Sequence, residues 1–150
     1  MNERMTATPA RAIPVSSAIR RRSLGVGAAA TTVAAAGVLW AVLKDPTADS
    51  SRTTSLPYVV AVAVIAGGLL FAWLVPARIA ANGTGLPLAI ASVPLLYAVW
   101  SGLPFLLAVA AALLATAHRA AGGTKQGRAL AAIIISGPVV VLTVMGILLG

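Results

Sequence analysis

The side chains able to carry chemistry are few and far apart. The chain holds one histidine, His118, three acids, Glu3, Asp45 and Asp49, and no cysteine. A catalytic imidazole needs a carboxylate or nucleophile beside it, and a hard-metal site needs carboxylates that converge. His118 instead stands next to Arg119 at the end of an apolar run, with the acids distant in polar stretches. Without cysteine there are no disulfides, thiol nucleophiles or thiolate metal centres. No Asp, Glu, Lys, Arg or His lies in the interior of any apolar run, and those are the groups that build proton relays and ion paths within a bilayer. The sequence therefore names no catalytic, cofactor-binding or metal-ligating residue. It reads as a chain that is not an enzyme and takes no cofactor. His118 reads as an interfacial side chain favoured by a helix C-terminus.

Positive charge is what the chain does have. Eleven Lys and Arg against three acids give a net charge of +8. In a soluble protein that excess would point to nucleic acid. Here the basic residues flank apolar segments, where they set orientation and meet anionic headgroups at the cytoplasmic face of a bilayer. No nucleic-acid partner is expected. The topology-setting residues are Arg20, Arg21 and Arg22 before the first apolar run, and Arg119, Lys125 and Arg128 before the last.

The elements that must carry these charges follow from composition. Apolar residues make up 59% of the chain, charged residues 9%, and mean hydropathy is +0.97. Soluble domains carry roughly a quarter charged residues, so this chain cannot cover a water-facing surface and is expected to be an all-α integral membrane protein. Its Ala/Gly-rich, Arg-over-Lys usage suggests a bacterial inner membrane. Residues 1–23 read as a disordered basic cytoplasmic tail, broken by Pro9 and Pro14. Residues 24–150 read as a helical membrane domain. A cleaved secretory signal over 24–43 is disfavoured, because signal cores run to about 7–15 residues and no small-residue cleavage site follows.

Apolar runs at 24–43, 56–75 and 129–149 each match the ~20 residues that cross a bilayer. Between them, 32 residues from Leu86 to Ala117 carry no charge and are interrupted by Ser101-Gly102-Leu103-Pro104. A single helix of that length would be ~48 Å long and would need a tilt of roughly 50°. Gly102 suits a left-handed residue after a helix end, Pro104 suits the first turn of the next helix, and Leu103 before it is pushed from helical geometry. Thr54-Ser55-Leu56-Pro57 and Thr84-Gly85-Leu86-Pro87 share this form, each at the opening of an apolar run.

Charge agrees with a turn. With a cytoplasmic tail and one crossing, the basic residues divide six inside to five outside; with a hairpin they divide nine to two, as the positive-inside rule prefers. Trp40, Trp73 and Trp100 then all fall near an interface. The expectation is a bundle of five transmembrane helices, at 24–43, 56–75, 84–101, 103–118 and 129–149. The amino terminus lies in the cytoplasm and the carboxyl terminus outside. The alternative is four spans, or a re-entrant hairpin over 84–118 with the same sidedness.

Small residues recur at helical spacing, among them Gly25, Ala29, Ala63, Gly67, Ala108, Ala111, Ala112, Ala115, Gly146 and Gly150, and such spacing lets helices approach closely in lipid. Pro94 and Pro138 fall inside expected spans and should kink them. From about Leu86 onward the chain resembles a family of small bacterial membrane domains of unknown function. The resemblance rests on Ala89-Ile90-Ala91-Ser92, Ala117-His118-Arg119-Ala120 and Gly127-Arg128-Ala129-Leu130-Ala131; it implies a hairpin topology and no activity. The functional expectation is a non-catalytic multi-pass membrane protein that works by helix packing with itself or a membrane-protein partner. The alternative is a small transporter or pore subunit using the proline-broken helices.

Overall fold

The computed structural model describes residues 17–44 and 50–149, all of whose regular structure is helical. Helix α1 runs Ser17–Lys44 and α2 runs Ser50–Leu69. A π-helical turn, Leu70–Leu74, leads on into α3, Val75–Ala80. Then come α4, Leu86–Ser92, a 3-10 helix, Pro94–Ser101, α5, Leu103–Ala120, and α6, Gln126–Leu149. Among the described residues, four helical stretches are long and apolar enough to cross a membrane: Ser17–Lys44, Leu56–Ala80, Leu103–Ala120 and Gln126–Leu149.

The tail expected over residues 1–23 ends earlier than its charge implies. Arg20, Arg21 and Arg22 lie in the first turns of α1, and arginine is a good helix former. Ser23 is buried there, its Oγ donating to the carbonyl oxygen of Phe71 at 2.7 Å. Residues 1–16, with Glu3, Arg4 and Arg11, lie outside the described residues, as do Asp45, Asp49 and Gly150. The side chain of Trp100 does too.

Helices α1 and α2 pack antiparallel through small residues. A Cβ on Gly27 would collide with Phe71, and one on Gly67 would collide with the hydroxyl of Thr31. Both contacts sit at the same register, so the two backbones touch almost directly, as small residues allow in lipid. The π turn follows from Pro76. The Val75 N–H turns back to the Leu70 carbonyl instead of that of Phe71, and Pro76 has no N–H to offer in its place. The carbonyl of Phe71 is thereby orphaned, and Ser23 takes it.

The segment expected as one span, 84–101, is two short helices. Pro94 ends α4, and Ala98 leaves helical geometry at φ −107°, ψ 42°. Gly85 and Gly102 both adopt left-handed φ, 78° and 69°, immediately before helices with proline in their first turn. The third phrase of this form behaves differently: α2 has already begun at Ser50, and Pro57 lies inside it. Pro138 likewise lies inside a continuous α6. The Ser101 hydroxyl ties the turn together, donating to the Ala98 carbonyl at 2.7 Å and accepting from the Leu103 N–H at 3.3 Å.

The depth of that turn is set by its neighbours. A Cβ on Gly102 would lie 3.0 Å from the Cβ of Ala34. Ala34 is eleven residues beyond Ser23 and ten short of Lys44, about 15 Å from either at ~1.5 Å per residue. Gly85 abuts the Ala111 carbonyl and Leu114, nine to twelve residues past Gly102, or about 13–18 Å along α5. The arm Leu86–Ser101 therefore occupies about 13–18 Å along α5, roughly half of the ~30 Å that a bilayer core measures. Beyond the turn α1 and α6 meet directly. A Cβ on Gly37 would lie 3.0 Å from Ile147 Cδ1, and Lys44 Nζ donates to the Leu148 carbonyl at 2.9 Å.

The core is alanine-dense. Ala89, Ala111, Ala115, Ala129 and Ala132 join α4, α5 and α6 in one fully buried cluster. A second cluster gathers Phe71, Val75, Leu106 and Leu114 around Ala30, Ala34 and Ala110.

Candidate functional site

Among the described residues, two concave regions of this frame stand out. The first is a groove between α1 and α2. Two adjoining hollows of about 420 and 350 Å³ are lined by small and apolar side chains, among them Gly27, Ala28, Thr32, Ala36, Val64 and Gly68. The hydroxyl of Thr32 donates to the Ala28 carbonyl at 2.9 Å. Gly67 and Gly68 divide the labour. Gly67 faces Thr31 across the intramolecular contact, whereas a Cβ on Gly68 would meet nothing within 4 Å.

The second is a pocket of about 250 Å³ where α3, the 81–85 loop and the start of α6 meet. Arg78, Lys125 and Arg128 line it, with Asn82 and Thr84. Each cation comes from a different element: Arg78 from the last turn of α3, Lys125 from the connection into α6, and Arg128 from the first turn of α6. The loop is fixed by backbone bonds. Gly83 N–H donates to the Arg78 carbonyl at 2.7 Å, and Asn82, at φ 53°, donates to the Ile79 carbonyl at 3.1 Å.

The topology-setting residues thus separate into groups. Lys125 and Arg128 share the pocket; Arg119 ends α5, and Arg20, Arg21 and Arg22 lie exposed on α1. Arg78, not singled out from the sequence, joins Lys125 and Arg128 at 47 and 50 residues' remove. Only its place after an apolar run pointed to it. Of the described cationic side chains, Lys44 alone lies at the opposite end of the bundle, beside Leu148.

His118, read from the sequence as an interfacial side chain at a helix C-terminus, lies in the last turn of α5 and is buried there. It is 6% exposed, because the connection into α6 folds over it and a Cβ on Gly123 would collide with the imidazole. Neither ring nitrogen makes a hydrogen bond within the described residues, nor does the buried Ser136 hydroxyl. The described residues contain no Asp or Glu, and no group of three His, Cys, Asp or Glu among them could hold a metal ion. Pro94, Ser136 and Thr143 line none of the three hollows; Thr143 is fully buried with its hydroxyl on the Val139 carbonyl at 2.7 Å. Comparison of the chain with protein-family models, with curated proteins and with solved structures finds no match.

Proposed function

We propose that this chain is a non-catalytic membrane component that works by packing its helices against a second copy or another membrane protein. The observation that carries this reading is the α1/α2 groove, an open, nearly apolar channel floored by glycine, alanine and threonine on the face of two lipid-length helices. In lipid the hydrophobic effect supplies no drive for helix association, so shape and close backbone approach decide it. A small-residue channel is what such an approach uses. The dense alanine seam supports the same reading, since it leaves the interior residues Ser136 and Thr143 buried rather than lining a path.

In this reading α1, the α2–α3 rod and α6 cross the bilayer, and the arm Leu86–Ser101 with α5 forms a re-entrant hairpin turning near mid-depth. The contact of Gly102 with Ala34 supports that depth. The end of the bundle bearing Arg20 to Arg22, Arg78, Arg119, Lys125 and Arg128 faces the cytoplasm of the cell. A transport role has one observation in its favour, the broken segment Pro94–Ser101, because interrupted helices line substrate sites in transporters.

Association is tested by light scattering in mild detergent and by cross-linking in membranes. A Cβ at Gly68 meets nothing within 4 Å, so Gly68→Leu starts without a clash and directs its side chain into the groove. The wild type should run as an oligomer or with a stoichiometric partner, and Gly68→Leu should lose that species at unchanged melting temperature. A wild type that behaves as a lone monomer in both assays refutes the reading.

A further inference from the structure

The pocket of Arg78, Lys125 and Arg128 serves neither the core nor the groove. Arg78 and, 47 and 50 residues later, Lys125 and Arg128 bring three exposed cationic side chains to one open cavity of about 250 Å³. The described residues contain no carboxylate to neutralise them. Two of the charges are also badly placed for stability. Lys125 and Arg128 flank the start of α6, a helix of 24 residues with no acid in its first turn, where the backbone dipole favours negative charge and cations cost free energy. An entering anion would relieve both the mutual repulsion and the dipole conflict.

The donors suit one kind of anion. Guanidinium and ammonium groups give charge-assisted hydrogen bonds to phosphate oxygens, arginine in a bidentate fork. Asn82 and Thr84 add neutral polar groups, and Leu114 adds apolar wall. Cations beside apolar surface in one cavity match the join between a headgroup and its chains, and basic pockets between membrane helices hold anionic headgroups.

We propose that this pocket binds a phosphate oxyanion, supplied by an anionic phospholipid headgroup or by soluble phosphate, with the apolar wall favouring the lipid. The inference shares only the membrane setting with the association reading, and Gly68→Leu, which bears on that reading, should leave it untouched.

Native mass spectrometry of the protein in neutral detergent tests it, with phosphatidylglycerol, phosphatidylcholine and inorganic phosphate as separate probes. Phosphatidylglycerol should be retained and phosphatidylcholine not; retention of inorganic phosphate without preference between the two lipids identifies the soluble source. At up to ~1 kcal/mol for a direct ion pair at an exposed site, each of Arg78→Gln, Lys125→Gln and Arg128→Gln should weaken binding by up to about fivefold and the triple variant by up to about a hundredfold. The charge-matched variant Arg20→Gln/Arg21→Gln/Arg22→Gln should lose no more than about threefold, since it alters only diffuse, screened charge. Melting temperatures near wild type show that both triple variants fold; if the pocket triple does not, the three single variants carry the test. Equal losses in the two triple variants, no loss on altering the pocket, or retention of no probe overturns the proposal.

Discussion

Pro76 acts on a residue five positions before it, and a serine 48 residues from that one answers. By removing an N–H, Pro76 lets the helix widen over Leu70–Leu74 and leaves the Phe71 carbonyl without a backbone donor; the Ser23 hydroxyl supplies one at 2.7 Å. In a buried setting an orphaned carbonyl costs about 1–3 kcal/mol, so Ser23→Ala should destabilise the bundle by that amount. Pro76→Ala restores an N–H beside Phe71, and Ser23→Ala/Pro76→Ala should therefore be less destabilised than the single serine variant. Thermal unfolding in detergent checks both, and additive losses would show that the serine acts elsewhere. Residues that work on their own backbone were legible in the sequence: Gly102 and Pro104 take left-handed and first-turn positions because their covalent structure suits nothing else as well. Ser23 and Arg78 were not legible. Their partners are remote in sequence, and neither leaves a local pattern.

At the scale of elements, the apolar runs located the long helices, because a bilayer demands length and hydropathy together. Their ends were less visible. Helices α1 and α2 begin at Ser17 and Ser50, several residues before their apolar runs, since backbone hydrogen bonding does not stop where hydropathy does. Hydropathy makes 84–101 a single span, whereas an internal proline either kinks a helix or ends it, and the surrounding packing decides which. Here α5 and α6 flank the arm, and the Ser101 hydroxyl satisfies groups at Ala98 and Leu103, so the break is tolerated. The absence of cysteine makes depth measurable with single labels. A spin label on Leu103→Cys should report the same mid-bilayer depth as one on Val33→Cys, and a greater depth than one on Leu43→Cys. A Leu103 label as shallow as Leu43 would require a hairpin that crosses fully.

For the whole molecule, sidedness rests on the clustering of positive charge at one end of the bundle. Arg78 lines one pocket with Lys125 and Arg128, and Ser23, next to Arg22, is bonded to Phe71 on the rod that carries Arg78. A reporter inserted after Gly123 should read cytoplasmic, and an extracytoplasmic signal there would invert the orientation. The half-depth turn has a geometric consequence of its own. At the basic end, five helical rods lie side by side: α1, the α2–α3 rod, α4, α5 and α6. Past Gly102 only three continue, and α1 and α6 close together through Gly37 and Ile147. With the turn at the proposed mid-depth, the body tapers and would displace more lipid from one leaflet than from the other. A wedge of this kind relieves packing stress in a bilayer bent away from its broad end, so the molecule should gather where the membrane curves.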